Sequence, residues 1–521
     1  MSARRSRQAP RLHAWWRRRD SPGTDARRYP AGQIEQRGSP RRGLVVIHVD
    51  GLSHARLTAA VEQGHMPFVS HLMTAEGYES LSYRCGVPST TPFAQAGILF
   101  GDNTEIPSYR WWDKEAGLLV TFGSGSTFGK VADRYFAGRI PLTVGGACIA
   151  ALYRAGATDR FGPAYEERHR PDKRDAGGRA IAAFLLNPVT LYFWIRHGGL
   201  ALFRIASEYL QARFSRRRTA NVYVVADIYH EVLVHHLTRF ALIQAMDEAL
   251  PAIYACFYTY DEAAHAFGPT DPNTLRILRH IDSTIRLAAE RRNANAGGIG
   301  YDLVVLSDHG QVETAPFMAT DGRSLGSFVA EWLAGCTIRE HRGRTFQEGG
   351  GHFAGRVEIT YSGGLAHIYF ADVPGRLDDE QLELKFPGLV AKIAALDRVG
   401  VVMLKSSSGG VLATREGRFS LKAPLTPDTA ALLERFDSPG PLAAELRRLN
   451  SFERSGDVVV FGAFDGKTQV NFEDQVGGHG SIGGEQLHPF VLAKKAWGFD
   501  TSAVLDSSGL YPMLFALRQP V

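Results

Sequence analysis

Three short apolar runs, each closed by an acidic residue, constrain this chain more than any other feature of its 521 residues. Leu44-Val45-Val46-Ile47-His48-Val49 ends at Asp50, the run 251–260 ends at Asp261, and Tyr301-Asp302-Leu303-Val304-Val305-Leu306 ends at Ser307-Asp308-His309-Gly310. Runs this short, this apolar and this rich in β-branched residues read as strands buried on both faces. Residues 271–292 instead place Leu275, Leu278, Ile281, Ile285 and Leu287 near helical spacing. Strands alternating with helices predict an α/β fold with a mostly parallel central sheet flanked by helices. Residues 357–371 and 457–462 are expected to be further strands. Ligands bind beyond the carboxyl ends of the strands in such sheets, so the three acidic ends are candidates for one shared site.

The charge is unevenly spread. Residues 1–42 hold twelve arginines against Asp20, Asp25 and Glu35, a net +9, which leaves −4 for the rest of a chain whose total is +5. The arm 1–42 is therefore expected to be solvated and disordered, with a chemistry suited to weak contact with anionic membrane or nucleic acid. It lacks the apolar core of a secretory signal. With 44% hydrophobic and 22% charged residues, the remainder has the composition of a globular protein, which excludes a fibrous or mostly disordered one. Residues 43–498 are expected to form the catalytic body, with a mainly helical insertion at 110–250, and 499–521 a C-terminal segment. The apolar stretch Ala180–Ile195 is too short to span a bilayer and is interrupted by Asn187-Pro188. Four widely spaced cysteines, Cys85, Cys148, Cys256 and Cys336, exclude a disulfide scaffold and fit reduced thiols in a cytoplasmic protein.

The chemistry-bearing residues cluster at the strand ends. Asp261-x-x-x-His265 puts both side chains on one face of a helical turn, where they can hold one ion. Asp308-His309 supplies a further carboxylate and imidazole, and Gly477-Gly478-His479-Gly480 an imidazole among glycines. With Asp50 these make six oxygen or nitrogen ligands, enough for two cations. A mixed Asp/His set suits Zn, or Mn, better than Ca. Taken singly each has an ordinary reading, since strand-terminal Asp often caps turns. His48 reads as a satisfied strand histidine rather than a ligand, and His352 receives no role. Thr91-Pro92 reads as a helix start, with Thr91 as N-cap and Pro92 at N1, running to about Phe100 with Gly101 as the stop. A hydroxyl there sits in the positive potential of the helix N-terminus, which stabilises alkoxide and phosphate oxygens.

The order Asp50, Thr91, Asp261-x-x-x-His265, Asp308-His309, His479 resembles the alkaline phosphatase superfamily, specifically its nucleotide pyrophosphatase/phosphodiesterase (type I phosphodiesterase) branch. The branch's P-T-K-T-F-P-N with a Gly seven residues on is matched by Pro88-Ser89-Thr90-Thr91 and Gly101, its D-x-x-G-H-x-x-G-P by Asp261-Glu262-Ala263-Ala264-His265-Ala266-Phe267-Gly268-Pro269, its S-D-H-G-M by Ser307-Asp308-His309-Gly310-Gln311, and its H-G by His479-Gly480. The resemblance implies an alkaline phosphatase-like fold, Thr91 as nucleophile, and two divalent metal ions. One ion would be held by Asp50, Asp308, His309 and the Thr91 oxygen, the other by Asp261, His265 and His479. The chain departs from the pattern at Pro92-Phe93-Ala94, at Ala264, and at Trp112, which stands where the branch places a phosphate-holding Asn. Arg110 and Asn103 are candidates to replace that Asn.

The expected function is metal-dependent hydrolysis of a small phosphate ester, a diester first, through a phospho-threonine intermediate. A phosphomonoesterase or a phosphotransferase on the same core is the alternative within enzymes. A catalytically silent protein that binds a membrane surface through the arm and insertion is the alternative outside them. No C/S-x-P-x-R setting for a sulfatase occurs near Thr91. The expected location is cytoplasmic, with peripheral membrane contact through the arm.

Overall fold

The computed structural model describes residues 42–121, 127–157, 234–292, 299–341, 344–347, 353–407 and 409–518. Residues 1–41 of the arm, the apolar stretches near 180–212 and the arginine cluster 216–218 lie outside the described residues, as does His352, while Arg42, counted with the arm, is the first residue of the first strand.

A six-stranded sheet forms the centre, from β1 (Arg42–Val49), β2 (Tyr78–Ser82), β5 (Ala147–Ile149), β6 (Ala252–Phe257), β7 (Gly300–Leu306) and β19 (Phe490–Lys494). Its order is β2-β19-β7-β1-β6-β5. β1 pairs in parallel with both β6 and β7, β5 pairs in parallel with β6, and β19 alone runs against its neighbours. The predicted mostly parallel α/β sheet is present. Alternation along β1 explains why it sits in the middle. Val45, Ile47 and Val49 pack into one apolar cluster, while Leu44 and Val46 pack into the other. Both faces are covered by helices, including His54–Glu62, Pro67–Ala75, His235–Asp247 and Pro272–Arg291 on the first, and Thr91–Phe100 and Leu510–Ala516 on the second.

Strand β5 comes from inside the stretch 110–250, so part of that stretch belongs to the sheet itself. Its other described elements are the hairpin β3 (Arg110–Asp113) and β4 (Leu118–Thr121), the helix Thr127–Tyr135 and the helix His235–Asp247.

A second, eight-stranded sheet gathers β9 (Cys336–His341), β10 (Arg344–Gln347), β11 (Gly355–Ser362), β12 (Leu365–Phe370), β13 (Val399–Leu404), β14 (Val411–Thr414), β15 (Gly417–Ser420) and β16 (Val458–Gly462). The strands expected at 357–371 and 457–462 are here, not in the central sheet. Residues 363 and 364, both glycine, turn β11 back on β12 as an antiparallel hairpin, and that local closure commits both to a separate sheet. A small third sheet, of β8 (Val312–Pro316), β17 (Thr468–Asn471) and β18 (Gly477–Gly478), bridges the two at the site. Among the described residues no helix is long and apolar enough to cross a membrane.

Candidate active site

Register places the site. Val49 of β1 lies beside Phe257 of β6, and His48 lies beside both Cys256 and Leu306. The three parallel strands therefore end at one level, and the residues that follow them leave from one edge. Asp50 follows β1 directly, Asp308 lies two residues past β7, and Asp261 falls in the first turn of the helix Thr259–Phe267. The positive N-terminal end of that helix suits a carboxylate. Gly51 has φ of 76°, a backbone that L side chains rarely adopt, and a Cβ there would overlap Asp261 Oδ1.

Thr91 is the first residue of the helix Thr91–Phe100, which ends at Gly101 in left-handed conformation. The N-cap is Thr90, not Thr91, and Pro92 is the second helical residue rather than the first. This one-residue correction follows from backbone geometry: Thr90 is extended and its carbonyl accepts the first helical bond, from Ala94 N at 3.0 Å. Thr90 makes no side-chain capping bond. The Thr91 hydroxyl is thus free of capping duty and lies 3.1 Å from His309 Nε2. Ser89 ties this motif to the last one: its carbonyl accepts from His479 Nδ1 at 2.8 Å, and its hydroxyl accepts from Gly480 N at 3.0 Å.

All seven residues singled out from the sequence come together. His309 Nε2 lies 3.6 Å from Asp50 Oδ1 and 3.3 Å from Asp308 Oδ2. His265 Nε2 lies 3.1 Å from Asp261 Oδ2, and His479 Nε2 lies 3.8 Å from Asp261 Oδ1. The rings of His309 and His479 stack at 3.8 Å, which joins the two halves. Ligand atoms of Asp50, Asp308 and His309 lie within 4.8 Å of one another, as do those of Asp261, His309 and His479.

The donor set fits cations on several counts. Each of the three histidines turns Nδ1 to a main-chain carbonyl: His265 to Gly477 at 2.9 Å, His309 to Gly310 at 3.1 Å, His479 to Ser89 at 2.8 Å. With the proton on Nδ1, each Nε2 lone pair is left for the centre, the arrangement that metal-bound histidines adopt. The carboxylates are handled alike. Asp308 Oδ1 accepts from His309 N at 2.9 Å and Gly51 N at 3.3 Å, and His48 Nε2 stands 3.0 Å away, while the buried Oδ2 accepts no hydrogen bond. Asp50 Oδ2 faces the Cys256 thiol at 3.8 Å, while its buried Oδ1 accepts none. Asp261 Oδ1 accepts from Gln311 Nε2 at 2.5 Å, and Oδ2 faces His265. One oxygen of each carboxylate is pinned from behind and the other is aimed inward.

Electrostatics give the same picture. Burial pushes the Asp50 carboxyl well above the usual range, and Asp308 and Asp261 nearby push it further. Burial acts on Asp308 in the same direction, but His309 and His48 hold it well below that range. Asp261 is likewise held low against its burial, by His265 and His479. Burial disfavours charge on His265, yet Asp261 brings it up to about 9. His479 is driven down to about 3 by burial and by His309. Three buried carboxylates and three imidazoles carry too little positive charge between them, which a divalent cation at this site would supply.

Three side chains that reading the sequence missed stand behind these carboxylates. His48 is satisfied in its strand as expected, with Nδ1 2.9 Å from the Tyr254 hydroxyl, but its other nitrogen supports Asp308. Cys256 supports Asp50 from the neighbouring strand, which register alone reveals. Gln311 was visible as the residue replacing Met in S-D-H-G-M. Of the candidates for holding phosphate, Arg110 Nη1 donates to Tyr361 O at 2.7 Å and Glu473 Oε1 at 2.6 Å, and Asn103 Nδ2 donates to Asp506 Oδ1 at 3.1 Å and Ser507 Oγ at 3.3 Å. Both polar ends are engaged elsewhere. Trp112 is buried and its ring stacks on His341 at 5.8 Å.

The fold is thus a mostly parallel α/β sheet with carboxylates and imidazoles gathered at one edge, beside a helix-terminal hydroxyl. The sequence pattern described as Type I phosphodiesterase / nucleotide pyrophosphatase matches residues 44–334, and the chain belongs to that family. It is accordingly a hydrolase of phosphoric ester bonds in a metal-dependent family. No curated protein sequence matches it significantly. Among solved structures it is similar to phosphonoacetate hydrolase from Sinorhizobium meliloti 1021 in complex with phosphonoformate, at 15% identity and a TM-score of 0.48, over 92% of this chain and 95% of that one. It is also similar to murine ectonucleotide pyrophosphatase/phosphodiesterase 5, an inactive variant in complex with AMP, at 13% identity and a TM-score of 0.47, over 92% of this chain and 95% of that one.

Proposed function

We propose that this protein hydrolyses a small phosphate ester, with a diester as its preferred class, through a covalent phospho-threonine at Thr91. The observation that carries the reading is the convergence of Thr91 Oγ1 on His309 Nε2 at 3.1 Å, beside carboxylates whose inward oxygens lack hydrogen bonds. Two divalent ions, zinc by the chemistry of the donors and manganese as the substitute, would be held by Asp50, Asp308, His309 and Thr91 and by Asp261, His265 and His479. When bound, such ions lower the pKa of an oxygen they touch and neutralise developing phosphoryl charge.

The chain's own part is positional. Thr91 Oγ1 attacks phosphorus in line with the ester oxygen that leaves; the new O–P bond forms as the old one breaks, the hydroxyl proton passes to water, and the leaving oxygen takes a proton from water. The first amides of the helix Thr91–Phe100 have no side-chain cap competing for them and favour the phosphoryl oxygens. Water then attacks phosphorus on the other side, releases phosphate or a monoester, and returns the Thr91 hydroxyl. The carboxylates and imidazoles keep the reacting groups in register, held from behind by main-chain carbonyls and by His48, Cys256 and Gln311. All four cysteines are buried, with no disulfide, which supports the cytoplasmic placement we also propose. Contact of the arm with anionic membrane or nucleic acid is part of the same proposal and rests on its charge alone.

Metal analysis of the purified protein paired with aryl phosphate diester and monoester assays tests this reading. Two ions per chain and faster diester cleavage are expected. A metal-free, inert protein contradicts it.

A further inference from the structure

Gln311 backs Asp261 alone among the carboxylates, and it touches the segments that carry all three residues of one predicted metal position. It is buried, at 1% exposure, between Asp308-His309-Gly310 and strand β8. Its Nε2 donates to Asp261 O at 3.0 Å and to Asp261 Oδ1 at 2.5 Å. Two acceptors on one side fix which end of the amide is nitrogen, because the opposite orientation sets oxygen against oxygen. The other end, Oε1, is buried without a hydrogen bond and points toward Gly477, where an added Cβ would stand 2.8 Å from it. Gly477 O is the acceptor that fixes the His265 tautomer, at 2.9 Å. Val312, the next residue, pairs with Gly478 of β18, which leads directly into His479. Gln311 therefore holds Asp261 by hydrogen bonds, lies against the glycine that orients His265, and adjoins the pairing that delivers His479. It makes no such contact with Asp50 or Asp308. The outer oxygen of Asp308 is held instead by His48 and two main-chain amides.

We propose that Gln311 is a positioning residue that sets the affinity of the Asp261/His265/His479 position alone, so that the two ions are tuned by separate side chains. This rests on the two-metal reading above. The physical reason is that a buried carboxylate with both oxygens unpinned loses its orientation and keeps its negative charge undistributed. Outer partners of metal ligands are typically worth about 10–100-fold in affinity.

The test is equilibrium dialysis of the full-length protein against buffered free zinc, with bound zinc counted per chain. Gln311→Met keeps the volume and removes both donors. Gln311→Asn keeps an amide too short to reach. Melting of the metal-free variants establishes that they fold, and two variants guard against one failing. Wild type is expected to fill two positions. In either folded variant, one midpoint should move to free zinc at least about 10-fold higher while the other stays in place. Two unchanged midpoints, or two that shift together, overturn the inference. A wild type that never holds two ions overturns the two-metal reading itself and the inference with it.

Discussion

Thr91→Ala separates chemistry from structure because the structural cost can be worked out in advance. The side chain is 6% exposed and makes one hydrogen bond, to His309 Nε2. Losing that bond costs about 0.5–1.5 kcal/mol. Losing the buried methyl costs about 0.8 kcal/mol. Capping contributes nothing to the loss, since Thr90 holds the N-cap position. The total, about 2 kcal/mol, is small beside a typical stability of about 5–15 kcal/mol, so the variant should fold with a melting point a few degrees lower. If that perturbation were all, the variant would keep at least about 3 kcal/mol of stability, stay over about 99% folded and lose almost no activity. Removing a nucleophile should instead cost at least about 10³-fold in turnover. The assay is hydrolysis of an aryl phosphate diester by the metal-loaded variant, with bound metal and melting measured on the same sample. Thr91→Ser, which keeps the hydroxyl, should stay within about 10-fold of wild type. Retained metal with a loss beyond about 10³-fold supports the nucleophile. A Thr91→Ala protein that turns over within about 10-fold of wild type refutes it.

Three further outcomes are expected. Gly51→Ala, at φ of 76° and with a Cβ overlapping Asp261 Oδ1, should lose more than about 1 kcal/mol of stability in denaturant melts and lower the zinc content. Chelation should abolish activity and lower the melting temperature, and zinc at 100 times its Kd should restore about 2.7 kcal/mol; an unchanged melting curve argues against buried ions. His367 is a pH reporter remote from the metals. Its Nδ1 accepts from Gly456 N at 2.9 Å and its Nε2 faces Pro107 O at 3.1 Å, so the neutral ring satisfies both partners. Burial, aided by Arg376, lowers its pKa to about 3. A depressed folded value means stability is fully present above the unfolded value of about 6.5 and is lost as pH falls from there through about 3. Melts across that window should show the decline, and His367→Gln should flatten it.

The strands and the gathering of acidic residues at their ends were legible for one reason. Parallel strands buried on both faces read as continuous apolar runs, and whatever follows them must emerge at one edge, so the pattern alone gathers Asp50, Asp261 and Asp308. Asp261 and His265 were legible because helical spacing alone sets them on one face. The pieces that stayed hidden depend on distant register. Cys256 faces Asp50 only because β6 lies beside β1 in a particular pairing. His48 points to Asp308 only because β7 lies on the other side. The second sheet stayed hidden because alternation identifies a strand without naming its neighbour. Arg110 looked available for phosphate because sequence shows its charge, whereas Glu473, its partner at 2.6 Å, lies far along the chain.

Anomalous scattering from crystals grown with zinc addresses the centre most directly. Two peaks are predicted, one about 2.0–2.2 Å from ligand atoms of Asp50, Asp308 and His309 with Thr91 Oγ1 alongside, the other at the same range from Asp261, His265 and His479. An absence of peaks among these seven side chains, or ions bound elsewhere while these groups stay empty, contradicts the account.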